Sequence, residues 1–401
     1  MKRNDTPEVP RIWAITGDRP GDNAQVEALV AALCEPVARR YVRVVPPWNK
    51  RKPRVRPTLH HIDSKLSDPL TPPWPDLIIT VGRRLAMVAL WVKEQSGGAT
   101  RIVFVGKPSG STRLYDLIVT SSEVQIAPAS NVLRIALPLL QVDEEKVRAA
   151  QDAWREKLRD LPRPLVGVLV GGPTNPFTFN RRVVRDLIRL ATGIREKQGG
   201  TAYFSTSPRT PDHAIQALRA GLPEDTPFFR WRPDAPDNPY SALLGEADGF
   251  IVTGDSVSML VEVARLHKPL AIYPLPYGAL HRFDQLRRRG ARWLYEPDAG
   301  SALDGFRRDL RSAGKALHLL PRTRDFTAIH QLLIDRGLAV LAGEDLTVPR
   351  GEVPNDLPLV VARIRALLAS TTQHETSVAD GVGADSNANG RIEETTEGPD
   401  Q

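Results

Sequence analysis

The stretch that most constrains the fold is Ala247 to Leu275, ADGFIVTGDSVSMLVEVARLHKPLAIYPL. Phe250 to Val252 and Ala271 to Tyr273 are apolar runs of strand length, and Val257 to Leu266 between them has a helical pattern. The order strand, sharp turn, helix, strand is the unit of a parallel sheet. The turn, Thr253-Gly254-Asp255-Ser256, is small and polar. It leaves N–H groups open at a helix N-terminus, where the dipole favours an anion. Glu262 follows more than one helical turn after Ser256. One helix therefore offers its start to a phosphate and its flank to a sugar hydroxyl.

Short apolar runs alternate with helical patterns through most of the chain. Arg11 to Thr16, Tyr41 to Val45, Asp76 to Gly82, Arg101 to Gly106, Tyr115 to Thr120 and Asn131 to Leu137 are expected strands. A helix is expected over Ala24 to Leu33, capped by Asp22 or Asn23, and another over Leu85 to Lys93. A charged helix, Val142 to Arg159, is followed by Leu161-Pro162-Arg163-Pro164, and a second α/β unit begins at Leu165. Its expected strands are Leu165 to Val170, Thr201 to Ser205 and Phe228 to Trp231, followed by the opening stretch. Helices are expected over Arg181 to Lys197, from Pro211 as first helical residue, and over Tyr240 to Glu246.

The pattern predicts two doubly wound, Rossmann-like domains facing a cleft. The first spans residues 11–140 and the second 165–345, with a linker helix within 141–164. Three further helices are expected, over His281 to Arg289, Phe326 to Arg336 and within 354–369; the last is placed to pack across both domains. Residues 370–401, rich in Thr, Ser, Gly, Asn and Glu, read as a disordered tail.

Among 401 residues, 41% are apolar, enough for two cores, and the formal charge of +7 favours anionic partners. A single cysteine, Cys34, excludes an intrachain disulfide and fits a reducing compartment. No run approaches the about 18 apolar residues of a membrane span, so a cytoplasmic protein is expected, with room for peripheral contact at an inner membrane. Residues 46–75 are proline-rich and carry the basic cluster Lys50, Arg51, Lys52, Arg54 and Arg56. They read as a long solvated loop, or as a substrate or membrane contact. His60-His61 lies there without a third ligand at metal spacing, so no metal site is expected. No dinucleotide fingerprint, P-loop or serine elbow is present. No aromatic-plus-basic module points to nucleic acid.

In doubly wound sheets, ligands sit at the carboxyl ends of the strands. Five loops fall there: Gly17 to Asn23, Gly82 to Arg84, Gly171 to Asn175, Ser205 to Thr210 and Thr253 to Ser258. Gly171-Gly172 allows close backbone approach, or forms a tight turn. Thr206, Ser207 and Arg209 are candidates for a diphosphate, Ser256 and Ser258 for phosphate; caps and a surface arginine are the competing readings. Glu262, flanked by apolar residues, needs a partner, either a ribose diol or a salt bridge to Arg265 or Lys268. Asp18 or Asp22 is a candidate base for an acceptor hydroxyl, with helix capping as the competing role of Asp22.

Several strings occur in one order: Gly21-Asp22-Asn23-Ala24-Gln25, Gly82-Arg83-Arg84, Gly171-Gly172-Pro173, Thr206 to Pro211 (TSPRTP), Asn238-Pro239-Tyr240 and Val252 to Met259 (VTGDSVSM). In this the chain resembles the bacterial relatives of the plant mitochondrial-fission "elongated mitochondria" proteins, also described as glycosyltransferases, over roughly Arg11 to Leu275. The strand–turn–helix with Ser256 and Glu262 is similar to the donor site of GT-B glycosyltransferases. The resemblance implies a GT-B fold and a metal-independent enzyme without a cofactor. It would move a sugar from a nucleoside diphosphate sugar to a lipid-linked or cell-envelope glycan acceptor. Gly171, Gly172, Thr206, Ser207, Arg209, Thr253, Asp255, Ser256, Ser258 and Glu262 would line the donor side. Asn23, Gln25, Arg83 and Arg84 would line the acceptor side, and Asp22 or Asp18 would be catalytic. The plant members are linked to mitochondrial division, so the resemblance also implies an alternative: a non-catalytic scaffold of the same shape acting through protein partners.

Overall fold

The computed structural model describes residues 9–49, 53–278 and 323–382, with isolated positions 290, 293, 305 and 310; beyond 369 only backbone is described. The expected helix His281 to Arg289 and the basic residues Lys50, Arg51 and Lys52 lie outside the described residues.

The first sheet contains β1 (Ile12–Thr16), β2 (Val37–Tyr41), β3 (Leu77–Val81), β4 (Arg101–Val105), β5 (Leu117–Ser121) and β7 (Val132–Ile135), in the order β2-β1-β3-β4-β5-β7. Every pair is parallel. The central strands β1, β3 and β5 are buried at every position, as continuous apolar runs between two helical layers must be. The helices α1 (Pro20–Leu33) and α3 (Arg83–Gln95) cover this sheet, and the short α2 (Pro46–Asn49) follows β2.

Two expectations shift here. The second strand is Val37–Tyr41, not Tyr41 to Val45, because the ladder to β1 starts by pairing Ile12 with Val37. Val44 instead forms an isolated antiparallel bridge with Ile62. Helix α1 begins at Pro20, whose fixed φ suits the first helical position, so Asp22 and Asn23 lie inside the first turn and cap nothing. The Asn23 side chain instead closes the preceding loop: Gly17 N donates to Oδ1 at 3.0 Å and Nδ2 donates to the Gly17 carbonyl at 2.6 Å.

The second sheet contains β8 (Leu165–Val170), β9 (Thr201–Thr206), β10 (Phe228–Phe229), β11 (Gly249–Thr253), β12 (Leu270–Tyr273) and β14 (Val340–Leu341), ordered β10-β9-β8-β11-β12-β14 and all parallel. Helices α4 (Glu144–Arg159), α5 (Arg181–Gln198), α6 (Asp212–Gly221), α7 (Tyr240–Glu246) and α8 (Val257–Arg265) surround it. Asp143 caps α4, accepting from Lys146 N at 2.9 Å, and Val147 and Leu158 of α4 sit in the second core. Pro211 precedes α6 as its N-cap rather than entering the helix. In β8, Gly167 lets the Phe250 ring lie flush on the strand; a Cβ there would sit 2.7 Å from Phe250 Cε1.

The domains are tied at several points. Ala24 of α1 packs against the second core. A two-stranded antiparallel sheet pairs β6 (Val124–Gln125) with β13 (Thr323–Arg324). The helix Leu357–Val382 then returns to the first domain. Its Leu357, Val360, Val361 and Ile364 follow helical spacing and are buried in the first core rather than shared between the two. Arg365 donates to the Leu33 carbonyl (3.0 Å), and Asp356 accepts from Ala136 N (2.6 Å). The helix runs past Ser370, where composition places the tail; residues 383–401 lie outside the described residues.

Candidate functional site

In each sheet the strand order reverses direction once, and ligands bind beside such switch points. In the second sheet the point lies between β8 and β11. The loops that follow these strands are Gly171 to Thr174 and Gly254 to Ser256, and the loop after β9 joins them.

These loops form one hydrogen-bonded cluster. Gly171 N donates to Thr253 Oγ1 at 2.7 Å, and Gly172 N to Asp255 Oδ2 at 3.0 Å. Thr253 Oγ1 donates to Asp255 Oδ1 at 2.8 Å. The Arg209 guanidinium lies 2.9 Å from Asp255 Oδ2 and donates to Ser256 Oγ (3.0 Å) and Thr174 Oγ1 (2.5 Å). Both glycines are sterically required: a Cβ on Gly171 would collide with the Asp255 carboxylate and Ser256 hydroxyl, and one on Gly172 with the Arg209 carbonyl. His330 braces the turn from behind, with Nε2 2.6 Å from the Gly254 carbonyl, and burial lowers its pKa. Burial raises the Asp255 pKa against the opposing pull of Arg209.

The expected donor residues therefore divide. Gly171, Gly172, Arg209, Thr253, Asp255 and Ser256 come together, but Asp255 and Thr253 are interior braces. Thr206 Oγ1 donates to the Phe229 carbonyl (3.3 Å) and accepts from Trp231 N (2.8 Å), so it links β9 to β10 instead of facing a ligand. Ser207 and Thr210 bond each other (3.2 Å) and shape the loop that carries Arg209. Ser256 is the N-cap of α8 without a side-chain cap bond. The first-turn N–H groups of α8 thus have no partner in their own helix. Ser258 is half-buried in that turn. Arg209 uses three of its donor directions on described residues, which leaves N–H groups at Nε and Nη1 without a partner among them.

Glu262 is half-buried and accepts a short hydrogen bond from Tyr240 Oη. This replaces both expected salt bridges: Lys268 Nζ donates to the Gly245 and Ala247 carbonyls (2.8 and 2.9 Å), and Arg265 feels the charge of Asp356. Burial raises the Glu262 pKa, opposed by Tyr240 and by Lys146. Tyr240 stands in the Asn238-Pro239-Tyr240 string, but sequence reasoning assigned it no role. His330 carried no sequence signal at all.

In the first sheet the switch point lies between β1 and β3. Asp18, Arg19, Asp22, Asn23, Arg83 and Arg84 line a small open cavity there. Gln25, half-buried on α1, does not line it. Asp18 is largely engaged. It accepts from Tyr41 Oη (2.5 Å) and Val44 N (3.2 Å) and pairs with Arg43 (3.2 Å), so three of its roughly four lone-pair sites brace the loop. Asp22 has only a long contact to Arg19, 3.9 Å, and accepts no side-chain hydrogen bond among the described residues. Arg84 Nε donates to the Trp48 carbonyl (2.7 Å) and Arg83 Nη1 to the Pro53 carbonyl (2.9 Å), pinning the proline-rich segment. Burial lowers the Arg84 pKa, and the charges of Arg19 and Arg83 add to it; the cavity wall carries these three arginines beside Asp18 and Asp22.

Two doubly wound domains, each with a polar cavity or cluster at its switch point, define a GT-B-like protein. The chain belongs to the family described as Mitochondrial fission ELM1, which it matches over residues 20–293. Mitochondrial fission protein ELM1 of Arabidopsis thaliana is 22% identical over 61% of this chain; the chain spans 66% of that protein, just under two thirds. An uncharacterized protein of Rickettsia prowazekii is 26% identical over 67% of this chain and 85% of its own length. Among solved structures, the UDP-GlcNAc 2-epimerase from Methanocaldococcus jannaschii is 12% identical, with 76% of this chain and 99% of that chain covered and a TM-score of 0.44.

Proposed function

We propose that the protein binds a nucleoside diphosphate sugar at the second switch point and transfers the sugar to a hydroxyl acceptor held at the first. One observation carries this reading. The open N-terminus of α8, the spare donors of Arg209 bonded to its N-cap Ser256, and a half-buried carboxylate at Glu262 belong to one helix and the loop packed on its start. The diphosphate would lie against the α8 N–H groups and Arg209, where fixed donors stabilise the leaving group without a metal. Glu262, its rotamer held by Tyr240, would accept the ribose hydroxyls. Asp22 is the proposed general base, because it accepts no side-chain hydrogen bond among the described residues, whereas Asp18 is tied to Tyr41, Val44 and Arg43. A lipid-linked or envelope glycan acceptor, met at a membrane surface, fits Arg19, Arg83 and Arg84 of the first cavity wall.

A panel of nucleoside diphosphates in thermal unfolding tests the binding step. Ligand at about 100 times its Kd adds about 2.7 kcal/mol, or about 5–10 °C for domains of this size. Asp22→Asn should keep that shift and lower transfer or donor hydrolysis by about 100-fold or more. No shift with any nucleotide would contradict the reading.

One observation favours a second reading. Ser256 and Asp255 are already bonded to each other and to Arg209 without a ligand, and the Arabidopsis relative is named for mitochondrial fission. A scaffold acting through protein partners would keep its partner after Ser256→Ala and Glu262→Ala.

A further inference from the structure

Arg84 lines the first switch-point cavity and donates to the carbonyl of Trp48, which lines a second cavity. Trp48, Arg54, Arg56, Thr58 and His61 are among its lining residues. Its volume is about 180 Å³, space for about six water molecules. The proline-rich segment is fastened before any ligand arrives, because Arg84 and Arg83 hold the Trp48 and Pro53 carbonyls.

His61 is wholly buried. Its Nε2 lies 2.9 Å from the Arg84 carbonyl oxygen, which can only accept, so Nε2 carries the proton. Burial lowers the His61 pKa, the hydrogen bond to the Arg84 carbonyl opposes this, and the charges of Arg84 and His60 lower it further, all in all favouring the neutral ring. Nδ1 is therefore a buried acceptor, and it has no partner among the described residues. Such an atom asks for a hydrogen-bond donor. At the cavity mouth stand Arg54 and Arg56, both exposed and neither in an ion pair among the described residues. They ask for an anion. One ligand class supplies both groups at once.

We propose that this cavity binds a sugar phosphate, with a ligand hydroxyl donating to His61 Nδ1 and the phosphate held by Arg54 and Arg56. Trp48, half-buried and edge-on to the His61 ring at 6.3 Å, contributes an apolar wall. The site is separate from the nucleotide cluster and does not depend on the transfer reaction proposed above. The same chemistry reaches the protein as a free sugar phosphate or as the headgroup of a hydroxylated phospholipid.

Calorimetric titration of the full chain with glucose 6-phosphate, glucose and inorganic phosphate tests this. Glucose 6-phosphate should bind at least about tenfold more tightly than either fragment. His61→Gln keeps a donor for the Arg84 carbonyl and removes the Nδ1 acceptor; it should weaken glucose 6-phosphate about tenfold and leave inorganic phosphate unchanged. The double variant Arg54→Gln/Arg56→Gln should weaken both. Should His61→Gln fail to fold, the ¹⁵N resonance of His61 Nδ1 in the unaltered protein serves instead, and it should shift on adding glucose 6-phosphate. Inorganic phosphate binding as tightly as glucose 6-phosphate, indifference to either variant, or an unmoved Nδ1 resonance would overturn the proposal. Retention on phosphatidylcholine vesicles containing phosphatidylinositol, lost in the double variant, would assign a headgroup; soluble binding without retention would assign a free sugar phosphate.

Discussion

The guanidinium of Arg209 lies 2.9 Å from the carboxylate of Asp255, whose side chain has no exposure to solvent. Asp255 also accepts from Gly172 N and Thr253 Oγ1, so it is the hub on which three loops are assembled. Burial alone would push this carboxyl toward its neutral form, and Arg209 opposes that. Removing the cation strands a buried charge, whereas Asp255→Asn keeps an isosteric acceptor. Arg209→Ala should therefore cost about 2 kcal/mol in a urea titration, a figure reduced because the arginine is itself half-exposed. Asp255→Asn should cost less, and the reverse order would refute the hub role.

The glycines of the same cluster give a sharper contrast. A methyl on Gly172 meets the Arg209 carbonyl, which belongs to backbone and cannot move aside. Gly172→Ala should cost about 3 kcal/mol or more, measured by chemical denaturation. Gly193, inside α5, has open space where its Cβ would be. Gly193→Ala should stabilise by about 0.5–1 kcal/mol, since a helix interior favours alanine.

Tyr240 and Glu262 lie on different helices, and among the described residues the hydroxyl of Tyr240 is the hydrogen-bond donor to the carboxylate. Tyr240→Phe should lose about 1 kcal/mol of stability and weaken nucleotide binding a few-fold, because the carboxylate remains but is less well oriented. Glu262→Ala should abolish measurable nucleotide binding. Equal effects of the two substitutions in a binding titration would place Tyr240, not Glu262, on the ligand.

His61 and His330 both have pKa values lowered in the fold, chiefly by burial. The unfolded chain then binds protons that the native state refuses, so this contribution is complete above the unfolded value of about 6.5 and declines as pH falls below it. Urea midpoints should drop between about pH 7 and pH 5.5, and His330→Gln should flatten part of that slope. A midpoint that rises over this window would contradict the assignment of neutral, buried rings.

The central strands were legible because β1, β3, β8 and β11 are mostly apolar runs with no charged residue, a pattern that strands buried on both faces show. The edge strand β2 was not. Its residues Val37 to Tyr41 include two arginines, and the richer β-branched run just downstream drew the expectation. Register there is set by pairing with β1, which no local pattern encodes. The loops of the candidate site were found from strand ends alone, yet the division of labour within them was not. Asp18 and Asp22 look equivalent in sequence; the difference lies in Tyr41 and Val44, brought back to Asp18 by the fold. Tyr240 and His330 were missed as site residues for the same reason, since each acts through a partner distant in the chain.

The most direct test is calorimetric titration of the intact protein with uridine, guanosine, adenosine and thymidine diphosphates, alongside Glu262→Ala. Saturable binding of at least one diphosphate, lost in Glu262→Ala and retained in Asp22→Asn, is the expected result. Absence of binding by all four, or binding indifferent to Glu262, would contradict the nucleotide-sugar site at the head of α8.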